Sequence, residues 1–108
     1  MSEFLNKIKA LVSHKQVVVS SHGYDELSSD DIRVHEALEG VHSAIVIREY
    51  PDYGKGPCIL LLQHDGQGQP IHVVWGLEKG SDSPAAIITA YRPDPAQWES
   101  DFIRRRKR

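Results

Sequence analysis

Four side chains in this sequence combine proton transfer with a grip on phosphate: His22, His72, Tyr91 and Arg92. Breaking an RNA strand by attack of its own 2′-hydroxyl needs a base, an acid and a cation against the phosphate. Imidazole moves protons near neutral pH, and a guanidinium forks onto phosphate oxygens. Trp98 adds a ring that can stack on a base, and Arg104 and Arg105 open a basic run suited to backbone phosphates. The first four are the candidate catalytic residues and the last three the candidate substrate-binding residues. Each also has a plainer role open to it. His22 can fix a strand-to-helix corner, His72 can be a partly exposed strand residue, Tyr91 can pack in the core, and Trp98 can anchor the C-terminal segment.

Other chemistries have less behind them. No His-Glu-x-x-His or paired-cysteine spacing occurs, so no metal site is expected. His64 and Asp65 are adjacent and would point to opposite faces of a strand. No glycine-rich phosphate loop of the Walker or Rossmann type is present, and no cofactor is implied. Ser20-Ser21-His22 sets hydroxyls beside a histidine without a nucleophile-elbow motif. Cys58 follows Pro57 at the start of an apolar run and reads as a small core residue.

The elements that position these residues centre on two β-rich runs, Pro70 to Glu78 and Ala85 to Arg92, separated by turn residues. In the first, Ile71, Val73, Trp75 and Leu77 share a face, and His72, Val74, Gly76 and Glu78 the other. In the second, regular alternation puts Ile87, Thr89 and Tyr91 on one side and Ala86, Ile88, Ala90 and Arg92 on the other. The simplest pairing therefore expects His72 and Arg92 on a common face, with Tyr91 turned away.

Upstream, Phe4, Leu5, Ile8, Leu11 and Val12 form one stripe of an amphipathic helix over residues 2–13. Gln16 to Ser20 reads as a first strand. A helical segment starting near Ser21 follows, weakened by Gly23. A second helix is expected from Asp30 to Glu39, capped by Ser28 or Ser29 and stopped by Gly40, with Ile32, His35, Ala37 and Leu38 inward. Ser43 to Tyr50 and Cys58 to Asp65 complete a four-strand meander with the organising pair. After Pro93, Asp94 caps, Pro95 starts and Gln97 supports a terminal helix with Trp98 and Phe102 on one face. The expectation is an α+β fold: helices on a four- to five-stranded, mainly antiparallel sheet, in a single domain spanning 1–108, with residues 1–14 as an additional helix and 104–108 as a basic tail.

With 108 residues, 40% hydrophobic and 26% charged, the chain suits one soluble domain with a limited core. A second copy covering part of the sheet would add to that core, so a homodimer is an expected partnership. No apolar run approaches the length of a membrane span, and the N-terminus lacks the pattern of a signal peptide. One cysteine precludes an internal disulfide, and the cytoplasm is the expected compartment. The net charge is −2, yet residues 104–108 carry +5, leaving −7 on the rest. An acidic body with a basic tail differs from a nucleic-acid platform whose positive charge covers a face.

The segments Ser21-His22-Gly23-Tyr24-Asp25, Tyr50-Pro51-Asp52, Gly56-Pro57-Cys58, Pro70-Ile71-His72-Val73-Val74 and Ile88-Thr89-Ala90-Tyr91-Arg92-Pro93-Asp94-Pro95 carry a resemblance. From about Val17 to Arg105 the chain resembles a widespread bacterial family of small uncharacterised domains, which open on a His and close on Thr-x-Tyr-x-Pro. That family is more distantly similar to BrnT and to the RelE/ParE-type toxins of toxin-antitoxin pairs, some of which cleave messenger RNA and others bind gyrase. The resemblance implies a RelE/ParE-like fold and a metal-independent endoribonuclease, with RNA as substrate and an antitoxin or other protein as partner. Where the family typically carries an Arg after its opening His, this chain has Glu26, a carboxylate in place of a phosphate-binding cation. That departure keeps a second expectation open, a non-catalytic protein-binding or regulatory module descended from such a toxin.

Overall fold

In the computed structural model, which describes residues 2–107, the strand carrying His72 lies in the middle of a five-stranded sheet. The elements run α1 (Glu3–Ser13), β1 (Val17–Val19), α2 (Ser21–Ser29), α3 (Val34–Gly40), a 3-10 turn (Val41–Ser43), β2 (Ile45–Tyr50), β3 (Cys58–His64), β4 (Pro70–Gly76) and β5 (Ala85–Tyr91). The spatial order is β1-β5-β4-β3-β2, with β1 parallel to β5 and the remaining pairs antiparallel. The fold is α+β, with an antiparallel meander from β2 to β5 and one parallel strand added at its far edge.

One face of this sheet holds the core. Ile59, Leu61, Ile71, Val73, Trp75, Ala85, Ile87 and Ala90 meet Leu5 and Ile8 of α1, Leu27 of α2 and Ala37 of α3. Each large aliphatic side chain buried this way contributes about 1.5–3 kcal/mol. The polar atoms inside are paired: the Trp75 indole N–H donates to Gln63 Oε1 at 2.8 Å, and the Gln63 amide donates to the Ala37 carbonyl at 2.8 Å. Gly23 does not merely weaken α2. Its missing side chain lets the helix lie on β5, where a Cβ would sit 2.6 Å from the Ile87 carbonyl oxygen.

Several local expectations are corrected. The helix expected from Asp30 begins only at Val34, because Asp31 has φ of 54° and the Asp30–Arg33 stretch forms a loop. Its start is marked by Glu36, whose carboxylate accepts the Arg33 N–H at 3.1 Å, rather than by Ser28 or Ser29. His35 is exposed and does not face inward.

Regular alternation in β5 also fails. Trp75 pairs with Ile87 and Val74 with Thr89, so Ile88 is an extra residue and the strand bulges. Beyond the bulge every side chain changes face: Ala90 enters the core, and Tyr91 stands opposite His72. Arg92 is thereby sent to the helical side, the reverse of the simple register. β2 carries a matching irregularity at Ile47, between the pairs Val46 with Leu61 and Arg48 with Leu60.

Among the described residues, no helix follows Pro93. The Asp94 signal produces one turn, in which Gln97 and Trp98 both donate their N–H groups to the Asp94 carbonyl. The chain then reverses. The Asp101 carboxylate accepts from the Ile103 and Arg104 N–H groups, offering the backbone a local alternative to helix, and Phe102 takes φ of 57°. Trp98 and Arg105 come into antiparallel bridge pairing, so the basic run returns across the sheet as a strap instead of extending a helix.

Candidate functional site

The helices cover one face of the sheet, and the strap from Pro93 to Lys107 covers part of the other. On that outer face, cross-strand pairing arranges side chains in rows. Ile45, Leu62, His72 and Tyr91 form one, Arg48, Leu60, Val74 and Thr89 the next, and Tyr50, Cys58, Gly76 and Ala86 a third. Between the first two rows and the strap lies a cleft of about 460 Å³, lined by Ile47, Arg48, Tyr50, Leu60, Tyr91, Trp98, Ile103 and Arg105. Two guanidiniums and three aromatic rings thus face one hollow.

His72 does not line the cleft; it is buried behind Tyr91 and Trp98, which do. Its Nε2 lies 2.7 Å from the Phe102 carbonyl, and a carbonyl only accepts, so Nε2 carries the proton. Nδ1 is then an acceptor, and the Tyr91 hydroxyl donates to it at 3.2 Å. The Trp98 ring stands edge-on to the imidazole, with centroids 4.6 Å apart and planes at 89°. Burial holds His72 below the ordinary imidazole range, although the bond to Phe102 opposes this. Burial also pushes the Tyr91 phenol up, and the nearby Arg105 charge partly offsets it. The resting pair is a neutral imidazole accepting from a neutral phenol.

The cations are held by stacking. The Arg105 guanidinium lies 5.1 Å from the Trp98 ring centroid and donates to Gln97 Oε1 at 3.1 Å. Arg48 lies 5.5 Å from the Tyr50 ring centroid. Such placement presents each planar cation beside an aromatic face, a pairing suited to phosphate and base together.

Four of the seven residues singled out from sequence therefore come together: His72, Tyr91, Trp98 and Arg105. The other three lie elsewhere. His22 is exposed on the first turn of α2, with Nε2 3.6 Å from Glu26 Oε1. The strand-to-helix corner is fixed by Ser20, whose hydroxyl accepts the Gly23 N–H at 2.9 Å. Arg104 is exposed and donates to Asp101 at 3.0 Å.

Arg92 is a clamp on the helical side. Its backbone N–H donates to the Asp30 carboxylate, Nε to the Asp30 carbonyl at 3.0 Å, and one terminal nitrogen to Asp65 at 2.9 Å. Burial alone would raise the Asp65 carboxyl. Hydrogen bonds from the Gln69 and Gln67 N–H groups and from Arg92 outweigh it and hold the carboxyl below its usual range. Arg92 ties the end of β5 to the α2–α3 loop and to the β3–β4 turn.

Sequence reasoning passed over Arg48 and gave Tyr50 no role in the site. The signal was present: a cation and an aromatic two residues apart on a strand share a face. What hid it was the irregularity at Ile47: regular alternation would put Arg48 and Tyr50 on the core face with Val46, and the extra residue turns them to the outer side. Among the described residues, no three His, Cys, Asp or Glu side chains gather as a metal-ligand set, and no helix is long and apolar enough to cross a membrane.

The fold and cleft define an α+β domain with helices on one sheet face and an aromatic, cationic hollow on the other. The chain belongs to the family described as "Domain of unknown function (DUF4258)", whose model matches residues 19–92. That span holds β2 to β5, with Arg48, Tyr50, His72 and Tyr91, and stops before the strap that carries Trp98 and Arg105. No curated protein and no solved structure is significantly similar to the chain.

Proposed function

We propose that the outer cleft binds single-stranded RNA and that the protein cleaves it without a metal, as the toxin of a toxin-antitoxin pair. The observation that supports this most is the Tyr91 hydroxyl, half-buried in a cleft with two guanidiniums and hydrogen-bonded to a neutral, buried imidazole. Tyr91 Oη takes the 2′-hydroxyl proton while passing its own to His72 Nδ1, and the Phe102 carbonyl steadies the imidazolium through Nε2–H. The 2′-oxygen bonds to phosphorus, and the bond to the 5′-oxygen breaks. The same pair returns the proton to the departing oxygen, leaving a 2′,3′-cyclic phosphate and a 5′-hydroxyl. Arg48 and Arg105 balance the charge that builds on the phosphate.

A second reading is favoured by the complete burial of His72 and the engagement of both its nitrogens. On that reading the cleft binds without reacting, and the domain is a regulatory or protein-binding module. Controlled expression and purified protein with a labelled RNA oligonucleotide separate the two. The nuclease predicts growth arrest, fragments ending in 5′-hydroxyl groups, and a Tyr91→Phe variant that binds RNA but cleaves at least about 100-fold more slowly. Bound but intact RNA with wild-type protein would leave the binding module standing.

A further inference from the structure

Three of the large apolar side chains most exposed to solvent, Tyr50 (37%), Tyr53 (56%) and Ile88 (37%), gather at one place on the outer face. With Cys58 and Val74 they line a hollow of about 220 Å³. Its shape follows from the third cross-strand row, where Tyr50 stands opposite Cys58, Cys58 opposite Gly76, and Gly76 opposite Ala86. Three small residues side by side lower the sheet surface there. The β5 bulge leans Ile88 over the gap, its Cδ1 2.5 Å from where a Gly76 Cβ would lie. Tyr50 lines both this hollow and the cationic cleft, and Arg48 lies against the Tyr50 ring.

We infer that this hollow is a nucleobase subsite, holding the base adjoining the phosphate gripped by Arg48 and Arg105. The inference rests on the RNA-binding reading of the cleft. The occupant follows from what borders the hollow: a base attached to a phosphate presents a planar apolar face next to an anion, and the protein presents two tyrosines next to two guanidiniums. Its lining carries no charged group and few polar atoms, so recognition is by stacking and tolerates any of the four bases. Tyr53, on the β2–β3 loop, lines the hollow and is the more exposed of its two tyrosines.

The test uses the full chain and two fluorescent oligonucleotides of equal length, both 2′-O-methylated to block cleavage, one carrying bases and one abasic throughout. Anisotropy titrations compare the wild type with Tyr53→Ala, Tyr53→Phe and Arg105→Ala. The subsite predicts that Tyr53→Ala weakens the base-bearing strand at least about fivefold, the lower end of the loss for one base–aromatic stack, and leaves the abasic strand unchanged. Tyr53→Phe keeps wild-type affinity, and Arg105→Ala weakens both strands. Equal binding of both strands, insensitive to Tyr53→Ala but sensitive to Arg105→Ala, overturns the subsite while the phosphate cleft stands. Binding of neither strand overturns the RNA reading and the subsite with it. In that case, a dimer that Tyr53→Ala converts to monomer in sedimentation would assign the patch to a second copy.

Discussion

At the scale of single residues, His72 joins the stability of the fold to the geometry of the cleft. It is fully buried, its Nε2–H satisfies the Phe102 carbonyl, and its folded pKa lies below the unfolded value. In the interval between the two values the unfolded chain binds more protons than the folded one. The stabilisation is therefore complete above about pH 6.5 and is lost as pH falls from there through the folded value, with a slope of at most about 1.4 kcal/mol per pH unit. Glu36 and Asp65 also titrate low, Glu36 chiefly because the Gly66 and Arg33 N–H groups bond its carboxylate. Their contributions fade only in the more acid carboxylate range. Urea unfolding between pH 5 and 8 should show the wild-type decline below about 6.5, and His72→Gln should flatten it whatever its overall stability. An unchanged slope in the variant would mean that His72 is not the group being protonated.

At the scale of elements, Gly23 and the β5 bulge show where local rules end. Helix propensity favours Gly23→Ala by about 1 kcal/mol. The contact with the Ile87 carbonyl, at 2.6 Å from an added Cβ, opposes it, because backbone on both sides leaves only a shift of α2 as relief. Overpacking of this kind costs about 1–3 kcal/mol, and the expected outcome is a net loss of stability in urea titration. A stabilised variant would show that α2 can lift from β5 without penalty. The strands and the first helix were legible from residue pattern: the stripe of α1, the β-branched β1 and the four runs of the meander all stand where periodicity places them. The pairing of Tyr91 with His72 was not, since one extra residue at Ile88 reverses the faces and no residue type marks it. The strap was hidden for a related reason. Asp94-Pro95 is a genuine start signal, but the Asp101 turn six residues later competes with helix, and only the His72 imidazole and the outer sheet face decide where Trp98 and Phe102 settle.

Across the whole molecule, charge decides how a cleft on an acidic body can hold an anion. Apart from residues 104–108 the chain carries −7, a field that repels a polyanion until it meets the strap. Within the strap the charges differ in their partners. Arg104 is paired with Asp101 and Arg106 with Glu99, whereas Arg105 donates to the neutral Gln97 amide and stacks on Trp98 inside the cleft. If the cleft is the RNA site, Arg48 and Arg105 carry the phosphate contacts, and Arg104 and Arg106 spend their charge on the protein's own carboxylates. Each phosphate neutralised on a single strand contributes a slope of about −0.7 in log K against log salt. Two contacts therefore predict a slope of about −1.4 for a short single-stranded RNA, falling to about −0.7 in Arg105→Ala. A slope near −3.5, one contact for each of the five tail cations, would move the anion site from the cleft to the tail. A slope unaltered by Arg105→Ala would remove Arg105 from the contact altogether.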